Sequence, residues 1–178
     1  MKGYLQNEKG FTLVELLIVV IILGILAAVA IPQFGTSTDD AREQSLRTNL
    51  ATLRNAAELY YAEHGVYPGR LNANGDGNVA NQAGADGGFI TQLTQYTNAA
   101  GEVTTTLNRA THPYGPYFKK QELPPNPFVT TPANQPLVNC VINSTVLGLA
   151  GDGVAGRGWK FNTQTGELIA NDGGHDSD

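Results

Sequence analysis

Glu15 is the single charged residue between Phe11 and Ile31. As a helix, this 21-residue stretch would rise about 31 Å, near the hydrocarbon thickness of a bilayer. From Leu16 to Ile31 no residue is charged, and twelve of the sixteen are Leu, Ile or Val. A carboxylate in such a run costs on the order of 2.5–3.5 kcal/mol on insertion scales, while the twelve aliphatic side chains return about 4–7 kcal/mol. Insertion therefore tolerates Glu15, but a residue this costly calls for a partner. A cut between Gly10 and Phe11 would supply one. The new Phe11 amine would lie one helical turn from Glu15, and the two charges could pair within one chain or between neighbours.

Other spacings carry weaker chemistry. Asn72, Asn74 and Asp76, followed by Gly77, imitate the start of a calcium loop, with oxygen ligands at alternate positions and a glycine for the turn. The position of the closing bidentate Glu is Ala83, so the pattern is incomplete and also reads as a polar Asn/Gly turn. Gly151-x-Gly153-x-x-Gly156 fits a dinucleotide fingerprint, but Trp159-Lys160-Phe161 after it reads as strand. The pyrophosphate of such a site needs a helix N-terminus there. Asn143-Ser144-Thr145 is a sequon of the kind common by chance. His64, His112 and His175 are far apart, and Cys140, in an apolar strand, reads as a small buried thiol. No catalytic constellation stands out. An enzyme would need a cleft of convergent polar groups, for which the residues give no sign.

The elements that position these residues follow from periodicity. Leu46, Leu50, Leu53, Ala57 and Tyr60 recur at helical spacing, with Arg42, Arg47, Arg54 and Glu58 off the stripe. A long helix from Phe11 to His64 is expected, ending at Gly65 with Pro68 beyond. Gly24 and Pro32 mark its weak stretch, and a kink is expected there. Leu71 to Gly88 is a loop by composition, with 13 of 18 residues Gly, Ala or Asn. Phe89, Ile90, Leu93 and Tyr96 suggest a short amphipathic helix. Leu137–Ile142 reads as a strand, and Trp159–Phe161 with Glu167–Ala170 as a hairpin turning at Gly166. Five tyrosines, Tyr60, Tyr61, Tyr96, Tyr114 and Tyr117, read as packing between helix and sheet. The fold class is α+β: a long N-terminal helix, half membrane-spanning and half amphipathic, on a small antiparallel β-sheet.

Composition narrows the classes further. The 178 residues carry a formal net charge of −5, against the basic face of a nucleic-acid binder. One cysteine excludes a disulfide framework and a zinc site built on several thiolates. Lys2 and Lys9 precede the apolar run and Ala28-Val29-Ala30 matches a small-x-small cleavage pattern, which also allows a secreted binding module released after Ala30. Glu15 inside the run and Pro32 just past that cut count against it.

Lys9-Gly10-Phe11-Thr12-Leu13-Val14-Glu15-Leu16-Leu17, continued through the apolar run to Pro32, resembles the prepilin signature of type IV pilins and type II secretion pseudopilins. The Tyr60-Tyr61, Gly65–Pro68, Gly115–Phe118, Pro124–Phe128 and Gly158–Asn171 segments resemble the G-type major pseudopilins more loosely. The resemblance implies a prepilin leader over 1–10, a long helix over 11–64 with a transmembrane segment over 11–31, and a pilin-like globular head over 65–178. It implies cleavage by a prepilin peptidase between Gly10 and Phe11, N-methylation of Phe11, and an assembly role for Glu15 against a neighbour's Phe11 amine. Implied partners are copies of the chain, the peptidase, an inner-membrane assembly platform, minor pilins or pseudopilins, and the membrane. The implied location is the bacterial inner membrane before assembly and a filament afterwards, with the head periplasmic or extracellular. A major pseudopilin is favoured, because many type IV pilins close a C-terminal loop with a disulfide that Cys140 alone cannot form. A major pilin of a surface pilus is the alternative. Calcium binding in the C-terminal region of G-type pseudopilins keeps calcium open as a cofactor.

Overall fold

Helix α1 spans Leu13–His64, and its two halves form for different reasons. The second half carries the expected apolar stripe, and Leu46, Leu50, Leu53, Ala57 and Tyr60 are all buried. From Leu13 to Ala28 the one polar side chain is Glu15. α1 ends where expected: Gly65 takes φ +72° and its amide donates to the Tyr61 carbonyl at 2.8 Å, a left-handed stop that glycine adopts at little steric cost. The computed structural model describes residues 10–120, 122–131, 136–152 and 157–176, with 29–37 described as helical backbone alone. The expected leader over 1–9, the Pro32 ring at the expected kink, Gly153, Gly156 and Asp178 lie outside the described residues or side chains.

The chain divides into two compact units, Met1–Ala41 and Arg42–Asp178. In the first, every large apolar side chain from Leu13 to Leu26 is at least half exposed, from 83% at Leu13 to 50% at Val19. The expected transmembrane half is corrected here: among the described residues, no helix is long and apolar enough to cross a membrane. The apolar part of α1 with described side chains runs from Leu13 to Ala28, a rise of about 24 Å against the ~30 Å hydrocarbon core.

The second unit follows α1 with α2 (Gln82–Thr94), β1 (Tyr96–Thr97), β2 (Val103–Thr104), β3 (Val138–Val141), β4 (Trp159–Asn162) and β5 (Leu168–Ala170). β1 and β2 form an antiparallel pair, and β3-β4-β5 a three-stranded sheet. The expectation of a wholly antiparallel sheet is corrected. β3 runs parallel to β4, Val138 opposite Trp159 and Val141 opposite Asn162, and only β4–β5 is antiparallel. The connection from Ile142 to Gly158 exceeds the dozen residues that a parallel crossover needs.

α2 also begins earlier than composition suggests, inside the expected loop. Asn81 caps it, its side chain accepting from the Gly84 amide at 2.9 Å, and the weak helix formers Asp86 and Gly88 are buried with Ala85, Phe89 and Leu93. Tertiary burial overrides their propensity. A Cβ at Gly88 would sit 3.4 Å from the Gly69 Cα, so small residues allow this close approach.

One core joins the elements of this unit: Leu46, Leu53 and Tyr60 of α1, Phe89 and Leu93 of α2, and Val138, Cys140, Trp159, Phe161 and Leu168 of the sheet. Both edge strands are closed by helix side chains. Arg54 of α1 donates from Nε and Nη2 to the Leu168 carbonyl at 3.1 and 2.8 Å. Asp86 of α2 accepts from the Cys140 amide at 2.7 Å and pairs with Arg157. Each contact satisfies one backbone group of the kind that, left unpaired, invites edge-to-edge association. Burial and the neighbouring Asp86 push the Cys140 thiol well above its ordinary pKa, so it sits as an inert buried group.

Candidate functional site

The residues singled out at the N-terminus meet at the start of α1. Gly10 and Phe11 precede the helix, with Phe11 83% exposed, and a Cβ at Gly10 would meet nothing within 4 Å. No packing within the described chain asks for glycine there. Thr12 is the cap. Its amide donates to Glu15 Oε2 at 2.9 Å, its hydroxyl to the same oxygen at 2.9 Å, and the Glu15 amide donates back to Thr12 Oγ1 at 3.2 Å. This reciprocal arrangement is a capping box, which satisfies two backbone donors that a helix start otherwise leaves unpaired. The bonds from the Thr12 amide and then its hydroxyl hold the Glu15 carboxyl below its ordinary pKa.

Thr12 is a partner of Glu15 that charge alone does not reveal. Its signal was in the sequence all along, because Thr-x-x-Glu before an apolar run is the capping-box pattern. The cap occupies Oε2 of Glu15. A carboxylate offers about four lone-pair sites on two oxygens, so its use as a cap leaves capacity for a cationic donor.

The calcium candidate is arranged differently from a metal loop. Asn72 Nδ2 donates to Asp76 Oδ1 at 2.5 Å and Asn74 Nδ2 to Asp76 Oδ2 at 2.8 Å. Both oxygens of the one carboxylate among these three residues are engaged by amide N–H groups. Among the described residues, no group of three His, Cys, Asp or Glu side chains converges. The three residues therefore do not fit a calcium site and read as a self-satisfied polar turn. The Gly151 motif runs into strand β4, not into a helix. His64, His112 and His175 occupy separate settings: His64 at the end of α1, His112 beside Thr111, and His175 on Asp172 at 2.9 Å.

Comparison with known proteins gives this geometry its context. A prokaryotic N-terminal methylation motif matches residues 5–31. The chain is 38% identical over 64 residues to the type II secretion system core protein G of Vibrio cholerae, covering 36% of this chain and 44% of that protein. It is 36% identical over 101 residues to the type IV major pilin PilE of Neisseria gonorrhoeae, covering 57% of each. Against the core protein G of Aeromonas hydrophila it is 31% identical over 98 residues, covering 51% of this chain and 67% of that protein. No solved structure matches. The chain belongs to the type IV pilin and type II secretion pseudopilin family. It spans about half the length of the first curated relatives it matches.

Proposed function

We propose that this chain is a filament subunit that polymerises through the apolar start of α1 after cleavage between Gly10 and Phe11. The observation that carries the reading is the exposure of Phe11 and of Leu13–Leu26 on every side of one helix. A helix apolar all round belongs inside an apolar environment, and burying each large side chain stabilises by about 1.5–3 kcal/mol. Identical helices from other copies provide that environment. Glu15 would enter it as a charge, and an unpaired buried charge is strongly destabilising. The Phe11 amine of a neighbouring copy, N-methylated after cleavage, is the proposed counter-charge.

Within the family we favour a major pseudopilin of a type II secretion system. Cys140 is a buried free thiol, and the alignment with the Aeromonas core protein G covers two thirds of that protein. The match to the gonococcal pilin over 57% of both chains favours the second reading, a major pilin of a surface pilus. The proposed partners are copies of the chain, a prepilin peptidase, an inner-membrane assembly platform and minor pilins or pseudopilins. The proposed setting is the bacterial cell envelope, with residues 65–178 periplasmic or extracellular.

The test is the N-terminal residue and intact mass of the protein recovered from its native envelope. A start at N-methylated Phe11 is expected. A start at Ile31 would remove Glu15 with the whole apolar run, and the filament reading with them.

A further inference from the structure

The last residue of α1 sits in a polar junction, far along the helix from Glu15. The His64 ring stacks on Tyr60, with centroids 3.9 Å apart and planes 3° from parallel. Its Nδ1 lies 3.0 Å from the Tyr60 carbonyl. A carbonyl only accepts, so Nδ1 carries the proton and Nε2 is the acceptor. Nε2 takes a hydrogen bond from the Thr97 hydroxyl at 3.0 Å. Thr97 is fully buried and exchanges backbone bonds with Tyr114 at 3.0 and 3.2 Å. The imidazole lone pair is thus one tie between the end of α1 and β1, which in turn bonds to the strand-like stretch around Tyr114.

The groups around the ring come from each packed element. α1 supplies Tyr60 and Glu63. The 112–118 stretch supplies Tyr114, its ring 4.8 Å from His64, and Tyr117, whose hydroxyl donates to Glu63. β1 continues into the Asn98 backbone. Burial lowers the His64 pKa despite the Tyr60 carbonyl, Glu63 and the Asn98 backbone, which act in the opposite direction.

We propose that His64 is an acid-sensitive latch whose protonation turns Nε2 from acceptor to donor, sets it against the Thr97 hydroxyl and releases residues 96–118 from the end of α1. The proton comes from solvent, and no bond other than hydrogen bonds changes. Thr97 can accept from the charged ring only by turning its hydroxyl, and the charge must then be held in a half-buried aromatic setting.

Hydrogen exchange on the full chain in mild detergent tests the latch, at about pH 7.5 and pH 5, which bracket the histidine range. After correction for intrinsic exchange, protection within 96–118 is expected to fall on the order of tenfold, while β4 and β5 stay protected. In His64→Phe, which keeps an aromatic stack on Tyr60 but cannot titrate, the fall is expected to vanish. A flat parent, or an equal fall in both proteins, overturns the proposal. Should His64→Phe not fold, NMR titration of the parent decides instead. The 96–118 amides must share the midpoint of the His64 ring, and a midpoint following His112 overturns the latch.

Discussion

Thr12 and Glu15 share three hydrogen bonds, so one carboxylate holds both a helix start and the charge proposed for assembly. Two substitutions separate these roles. Glu15→Gln keeps an oxygen for the Thr12 donors and removes the charge. Thr12→Ala keeps the charge and removes the hydroxyl of the cap, at a cost of about 0.5–2 kcal/mol to the helix start. If charge pairing drives assembly, Glu15→Gln is expected to lower filament yield far more than Thr12→Ala, as measured by the subunit recovered in sheared filaments. A loss from Thr12→Ala with little from Glu15→Gln would assign the role of Glu15 to capping, and normal yield from Glu15→Ala would remove its assembly role altogether.

At the scale of elements, the sheet depends on side chains reaching from the helices. Asp86 is 6% exposed and serves both the Cys140 amide and Arg157. Asp86→Ala leaves that amide unpaired and is expected to destabilise the fold by about 1–3 kcal/mol, read by chemical denaturation. Gly166 turns the β4–β5 hairpin at φ +78°, and a Cβ there would approach Tyr67 Cζ to 2.1 Å. Gly166→Ala is therefore expected to displace Tyr67 from its contact with Glu58 and to lower the melting temperature, where an unchanged value would contradict the close approach. The hairpin and its glycine were legible from the apolar runs flanking Thr163–Gly166. The start of α2 was not, because Gln82–Gly88 forms a helix through the Asn81 cap and burial against Gly69, neither of which composition expresses.

For the whole molecule, the buried cluster draws its members from Leu46 to Ala170, all within the second compact unit. Residues 42–178 alone are expected to unfold in one cooperative transition and to remain unassembled. Loss of cooperativity would show that the first unit is needed for the fold. The pH dependence of stability also has a definite sign. The His64 pKa is lowered on folding, so the unfolded chain binds more protons and stability falls as pH drops below the ordinary histidine value of about 6.5. Burial acts to raise the Asp172 pKa, but the hydrogen bonds from Asn126, His175 and the Gly174 amide outweigh it, and the net shift is downward. Its contribution is present above the unfolded Asp value of about 3.9 and is lost as pH falls through the lower folded value. Melting temperatures of the full chain are expected to decline in two steps on acidification, the first absent in His64→Phe.

The sequence by itself determined the family, the long helix with its end at His64–Gly65, and the stripe from Leu46 to Tyr60 that faces the core. These are local properties: a motif of adjacent residues, a helical period, and a glycine suited to a left-handed stop. Tertiary structure decided what depends on distant partners. β3 lies parallel to β4 because a long crossover returns it in that direction, and α2 extends to Gln82 because burial outweighs weak propensity. Asn72, Asn74 and Asp76 close on one another, the hydrogen bonds of the turn engaging both oxygens of Asp76. The apolar half of α1 shows the division most plainly: its composition announces that it must be buried, while the structure leaves its side chains exposed on all sides, the state in which other copies can cover them.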